Sequence, residues 1–292
     1  MIFTAHSEYL KLVSVIVKPI NHSFISTNKV EKEWKDLNYL SVPDYNSSKM
    51  EFSDFEATLK RHNIKIDYLP QNESLSIDSL YCRDASIATD FGMIICNMGK
   101  LGRIHEPYSH EQFYKNKNIK VLGKINSPGT VEGGDVAWLD RKTLAVGHTY
   151  RTNTEGINQL KELLNPHGIS IIVAELPHYK GEQDVFHLMS IFSPVDNNLA
   201  VVYSPLMPIK FRNELKKRGF EFIEVPDDEF DSMGCNVLAL SPRNCLIMEG
   251  NMTTQRRLEK AGCVVETYKG NNMSLKGGGG PTCLTRPVLR EV

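Results

Sequence analysis

Val136-Ala-Trp-Leu-Asp-Arg-Lys-Thr-Leu-Ala-Val146 reads as two short strands and a turn. Val136–Leu139 and Thr143–Val146 are apolar runs of strand length, and the polar Asp-Arg-Lys between them is turn-like. A helix is expected from near Thr154. Ile157, Leu160, Leu163 and Leu164 share one of its faces, Thr154 is placed to cap it, and Glu155 sits at the positive end of its dipole. Asn165-Pro166 should stop it, and Ile169–Ala174 reads as a third strand. The unit is therefore strand, strand, helix, strand.

Outward from this unit the same elements recur. Strand-like runs are Leu12–Val17, Ile64–Leu69, Met93–Cys96, Lys120–Leu122, Leu199–Tyr203, Phe220–Val225, Val237–Leu240, Cys245–Met248 and Val264–Tyr268. Helical spacing appears at Phe52, Phe55 and Leu59, around Phe211 and Leu215 up to Gly219, and from Thr253 to Ala261 before Gly262, with a polar helix over Lys29–Asn38. Alternation along the whole chain argues for an α/β fold. Two to three strands per helix is too many for a doubly wound sheet. A unit of roughly 50–60 residues repeats in rhythm, not in residue identity. No linker-like segment divides the chain, so residues 1–292 are expected to form a single domain.

The 292 residues carry a formal net charge of −1, with 34 basic and 35 acidic side chains. That balance argues against nucleic-acid or anionic-membrane partners, which favour a basic surface. No apolar run reaches the length of a membrane span, and the N-terminus lacks the basic and apolar regions of a signal peptide. Cysteines stand at 82, 96, 235, 245, 263 and 283, with no CxxC pair. Such sparse spacing reads as reduced thiols in a cytoplasmic protein, most of them small core residues.

Four stretches carry chemistry: Tyr81-Cys-Arg-Asp84, Val131-Glu-Gly-Gly-Asp135, Phe186-His-Leu-Met-Ser190 and Gly277-Gly-Gly-Gly-Pro-Thr-Cys-Leu-Thr-Arg-Pro287. Each alone has a bland reading as a turn or a core residue. Taken together, in this order and at these separations, they resemble the guanidino-modifying enzymes: arginine deiminase, dimethylarginine dimethylaminohydrolase and the arginine amidinotransferases. The resemblance spans about Leu12 to Arg290. It implies the pentein fold, a five-bladed pseudo-symmetric α/β propeller, with which the strand–strand–helix rhythm is compatible.

The chemistry requires such residues. A guanidinium carbon is a poor electrophile, so the cation must be held, attacked by a strong nucleophile, and relieved of an amine. A carboxylate holds it through charge-assisted hydrogen bonds, a thiolate attacks, and a histidine moves the proton. The resemblance assigns Cys283 as nucleophile and His187 as general acid and base. Glu132 becomes the carboxylate that binds guanidinium and sets up His187, and Asp84 the second substrate carboxylate. Arg103, in an Arg-x-x-Glu element, and Arg151 are implied to hold a substrate carboxylate. Asn236 is a further candidate for the pocket wall, and Lys18-Pro-Ile-Asn-His-Ser23 lies where the family often carries a substrate-covering loop. The implied course is a covalent thiouronium intermediate, released by water as a ureido product such as citrulline, without cofactor or metal. The partner is a small guanidino molecule, and the reading admits a homo-oligomer.

Two departures pull in opposite directions. Deiminases and amidinotransferases usually carry Asp two residues after the histidine, where this chain has Met189. The dimethylarginine enzymes also lack that Asp, so Met189 points towards an N-substituted guanidine. Arg83-Asp84 and the Gly-rich stretch before Cys283 look more like the deiminases and amidinotransferases. Amidino transfer therefore stands as the alternative to hydrolysis. A papain-like protease would place Cys before His in the chain, opposite to the order here. A zinc site at His187, Cys283 and another thiol lacks the usual spacing. A non-catalytic binding module on the same fold, like the ribosome anti-association factors, would leave the four polar groups unexplained.

Overall fold

The structure is a computed structural model, and it describes residues 2–292. The rhythm found at Val136 recurs all the way round the molecule. The strands are β1 (Phe3–Thr4), β2 (Lys11–Val17), β3 (Lys65–Tyr68), β4 (Ser86–Thr89), β5 (Gly92–Ile95), β6 (Val121–Lys124), β7 (Val136–Asp140) and β8 (Thr143–His148). They continue with β9 (Ser170–Glu175), β10 (Phe192–Asp196), β11 (Leu199–Val202), β12 (Glu221–Glu224), β13 (Leu238–Ser241), β14 (Asn244–Met248), β15 (Val264–Tyr268) and β16 (Thr285–Glu291). Four sheets have the orders β4-β5-β6, β7-β8-β9, β10-β11-β12 and β13-β14-β15. In each the first pair is antiparallel and the second parallel. A parallel partner needs a crossover. The helices Glu106–Asn116, Thr154–Leu164, Ile209–Lys217 and Met252–Lys260 supply the four.

The fifth sheet closes the ring. Its order is β1-β16-β2-β3, with β16 antiparallel to β2 and β2 parallel to β3 across the helix Tyr45–Arg61. The C-terminal strand thus fills the place that the first strand fills in the other four. Neighbouring sheets touch in cyclic order: β16 with β4, a bridge from Asn97 to Val131, β7 with the turn Leu188–Ser190, β10 with β13, and β13 with β2. This is the five-fold α/β propeller that the resemblance implied. Among the described residues, no helix is long and apolar enough to cross a membrane. All six cysteines are free and buried.

Several local expectations need correction. Asn153, not Thr154, caps the helix at Thr154–Leu164, accepting a hydrogen bond from Gly156 N. Thr154 is the first helical residue. The helix Glu106–Asn116 escapes the apolar pattern because it is polar and carries Pro107 in its first turn, where proline is tolerated. Strands β10 and β16 escape it because each contains a proline, Pro194 and Pro287. Both sit beside register shifts that relieve the missing donor. Lys18–Ser23 is no loop over the site: Lys18, Ile20 and Ser23 are buried, and Ile20–Ser23 forms a helical turn.

Candidate active site

The Gly-rich stretch before Cys283 is dictated by close approach. A Cβ at Gly279 would lie 2.3 Å from the Tyr81 ring, and one at Gly280 would lie 2.5 Å from Asn236 Oδ1. Both are impossible contacts, so only glycine lets the chain run against those side chains. Asn236 in turn grips the turn that carries the nucleophile. Its Oδ1 accepts from Thr282 N (3.0 Å) and Thr282 Oγ1 (2.8 Å), and its Nδ2 donates to Cys283 Sγ at 3.4 Å. Burial, with the nearby Asp84 carboxylate, pushes the Cys283 thiol pKa up, and the Asn236 and Thr282 hydrogen bonds act against that rise.

The Glu-Gly-Gly-Asp stretch follows the same logic. A Cβ at Gly133 would stand 2.2 Å from the Arg83 carbonyl, and one at Gly134 would stand 2.4 Å from His187 Nδ1 and 2.8 Å from Asp84 Oδ1. The two glycines therefore let the turn lie flat against both chemical groups. Gly134 N donates to Asp84 Oδ1 (2.9 Å).

Glu132 is fully buried. Its Oε2 accepts from His187 Nε2 at 2.9 Å, and its Oε1 accepts from Gly99 N (3.1 Å) and Lys100 N (3.0 Å). Arg151 Nη1 stands 3.4 Å from both oxygens. Burial by itself would raise the Glu132 pKa, but the His187 hydrogen bond and Arg151 bring it well below the usual carboxylate range. For His187 burial favours the neutral ring, yet Asp135, Asp84 and Glu132 outweigh it and raise the pKa to about 9. The raised pKa favours the imidazolium at neutral pH, with Nε2 donating to Glu132.

Asp135 ties these segments together. Its Oδ1 accepts from Leu188 N, next to His187 (3.0 Å), and its Oδ2 accepts from the hydroxyls of Thr149 and Thr152 (both 2.7 Å). Those threonines hold Arg151 N and Glu132 N respectively. Burial pushes the Asp135 carboxyl up to about 6. Sequence reasoning places Asp135 in its motif but gives it no role. A signal is nonetheless present, since a carboxylate that closes a Gly-Gly turn has backbone donors within reach.

Cys283, His187, Asp84, Arg103, Arg151, Asn236 and Met189 line one cavity of about 390 Å³. Glu132 does not line it and stands behind His187. Arg103 is already committed: Nε and Nη2 grip the two oxygens of Glu106 (2.9 and 2.8 Å), Nη2 also donates to the Tyr81 carbonyl, and Nη1 donates to Asp84 Oδ2. Its geometry orients Asp84 rather than offering a free fork. Leu37, Asn38 and Leu40 line the mouth in place of Lys18–Ser23. Tyr179, Phe186, Phe230 and Met233 make one side apolar, and of these only Phe186, next to His187, falls in a stretch that stands out in the sequence. Asp84, Glu132 and His187 bring one donor atom each within 4.8 Å of one another. Within that trio His187 Nε2 is already hydrogen-bonded to Glu132 Oε2, while Asp84 faces the cavity.

A family model described as N,N dimethylarginine dimethylhydrolase, eukaryotic, matches residues 20–290. The uncharacterised protein YkgA of Bacillus subtilis is 26% identical over 97% of this chain and 94% of its own length. The N(G),N(G)-dimethylarginine dimethylaminohydrolase of Pseudomonas aeruginosa is 26% identical over 82% of this chain and 89% of its own. An arginine deiminase of Listeria welshimeri is 23% identical, and the chain spans 61% of its length. Among solved structures, the Pseudomonas enzyme in complex with citrulline superposes with a TM-score of 0.77 at 22% identity, over 95% of this chain and 99% of that one. The amidinotransferase SxtG of Microseira wollei superposes with a TM-score of 0.80 at 14% identity, over 99% and 97%. At these identities the superpositions establish the fold.

Proposed function

The chain belongs to the N,N dimethylarginine dimethylhydrolase family, and from that premise we propose that it hydrolyses the guanidinium group of arginine or an N-methylated arginine through a covalent intermediate on Cys283. One observation carries the reading. Cys283, Asp84 and His187 face one cavity, and Glu132 accepts a hydrogen bond from His187, whose pKa Asp135, Asp84 and Glu132 together raise.

The steps follow from the charges. Asp84, steadied by Arg103 and Gly134 N, receives guanidinium N–H groups. The bound cation lies beside Cys283 and offsets the burial that keeps the thiol neutral, so the thiol proton leaves to solvent. The thiolate attacks the guanidinium carbon. His187, already protonated, gives its proton to the departing amine, and the C–N bond breaks to leave a thiouronium on Cys283. Neutral His187 then takes a proton from water as the water attacks the same carbon. The C–S bond breaks, and a ureido product leaves. Arg151, whose contact with Glu132 is long, keeps donors for a substrate carboxylate.

Met189 supports an N-methylated substrate over arginine. It is buried, lines the cavity, and occupies the position where a deiminase-type Asp would offer a second carboxylate. A methyl group buried against such a wall is worth about 0.8 kcal/mol. Incubation with arginine, methylarginines and agmatine in ¹⁸O-water, followed by mass spectrometry, tests the reading. Labelled citrulline with a released methylamine supports it. Transfer of an unlabelled amidino group to an added amine identifies a transferase instead, and no turnover of any guanidine refutes both.

A further inference from the structure

Away from the catalytic cavity, three arginines lie fully buried together: Arg83, Arg286 and Arg290 are each 4% exposed or less. They bind main-chain carbonyls of several sheets. Arg83 Nε and Nη2 donate to Gly133 O (3.3 Å) and Val136 O (3.2 Å), Arg286 Nη1 to Ser86 O (2.8 Å), and Arg290 Nη1 to Ala239 O (2.9 Å) and Leu10 O. Ser86, Val136 and Ala239 belong to β4, β7 and β13, edge strands of three different sheets. The guanidinium groups thus supply donors to strand edges that meet at the middle of the ring.

The charges there do not balance. Glu8 is the carboxylate that faces the cluster. Its Oε1 accepts from Arg83 Nη2 at 3.0 Å and from Trp138 N at 3.3 Å. Three guanidiniums against one carboxylate leave two positive charges. Among the described residues, Arg83 Nη1, Arg290 Nε and Arg290 Nη2 are buried and have no acceptor in the protein. An arginine does not escape by losing its proton. Burial and mutual repulsion lower Arg286 and Arg290, but only to about 10. Buried charge whose donors the protein itself does not satisfy is costly and calls for another acceptor.

We propose that the Arg83–Arg290 cluster at the centre of the ring is a binding site for a small inorganic monoanion of the halide class, held by Arg83 Nη1 and the Nε and Nη2 of Arg290. A halide is small and accepts N–H donors from any direction. A tetrahedral oxyanion needs more room and several aimed donors. The site is separate from the chemistry, although Arg83 directly precedes Asp84. Occupancy therefore fixes the chain segment from which that carboxylate projects.

Two measurements on the whole wild-type protein test the proposal. In crystals soaked in bromide, anomalous scattering should show a peak within hydrogen-bond reach of Arg83 Nη1 and Arg290. At constant ionic strength, replacing gluconate by chloride should raise the Tm along a saturating curve, by about 5 °C at a hundredfold excess over the dissociation constant. Arg290→Met removes two of the three orphan donors and should flatten that curve. A bromide map without a central peak, or the same wild-type Tm in both salts, overturns the proposal, and neither result depends on how Arg290→Met folds.

Discussion

Glu132→Gln keeps the shape of the side chain and removes its charge. In the wild type, Glu132 serves two sets of donors: Gly99 N and Lys100 N on one oxygen, His187 Nε2 on the other. Glutamine has only one oxygen. If it stays with the two amides, its NH₂ group faces His187 and Arg151, and the imidazolium loses its acceptor. Were His187 to fall from about 9 all the way to its ordinary 6.5, the change would be worth about 3 kcal/mol. Asp135 and Asp84 still hold part of the rise, so this is an upper bound on that effect. Breaking one partner of a buried charged pair costs about 2–5 kcal/mol in general. Together these place the loss in kcat/KM at about 100- to 1,000-fold. The pH profile separates this cause from misfolding. His187 must be protonated to release the amine, so wild-type kcat/KM should fall as pH rises through about 9. In Glu132→Gln that fall should begin lower, between 6.5 and 9. The sign for stability is the same. A histidine with a raised pKa contributes fully below 6.5 and loses its contribution as pH climbs through about 9, so the variant's deficit should be largest near pH 6. The assay is steady-state citrulline release from pH 5.5 to 10, with circular dichroism to confirm folding. A folded variant within threefold of wild type, with its alkaline limb still near 9, would refute the coupling of Glu132 to His187.

Three other outcomes are expected. Cys283→Ser should lose turnover while keeping its melting temperature, and a halo-amidine arginine analogue should label Cys283 in the wild type; labelling mainly at Cys82 or Cys235 would contradict the assignment. Gly134→Ala should lower kcat more than about 100-fold, because its Cβ would meet His187 Nδ1 at 2.4 Å, and unchanged kinetics would show that His187 can move aside. Met189→Asp should shift kcat/KM towards arginine and away from methylarginines, and a wild type that prefers arginine and ignores methylarginines would remove the basis for that substrate choice.

Much of the candidate site is legible in the amino-acid sequence. Asp84, Glu132, His187 and Cys283 sit in short motifs whose residue types match the demands of guanidinium chemistry. The role of a free carboxylate clamp does not fit the geometry of Arg103. Its partner Glu106 is visible in the sequence, but its commitment to Asp84 and the Tyr81 carbonyl is not. Asp135 stands in plain view without a role, since its value lies in donors from two separate segments, Leu188 and the Thr149–Thr152 turn. The apolar side made by Tyr179, Phe230 and Met233 carries no motif at all.

What the sequence by itself determined is local. Apolar runs of strand length mark strands, helical spacing marks crossovers, and Gly-Gly beside a carboxylate marks a turn. These signals arise from contacts within a few residues, so they survive in a one-dimensional pattern. Tertiary structure alone decided what each turn passes close to. It set Gly134 against His187, Gly279 against Tyr81, and β16 beside β2, pairing Thr285 with Val17 to close the ring. It also set Glu132 behind His187, where it accepts the imidazole N–H as the motif implied, and brought Asp135 and Asp84 close enough to help raise the ring's pKa. Such pairings join residues tens to hundreds of positions apart, and packing of the five sheets chooses among them where local propensity has no preference.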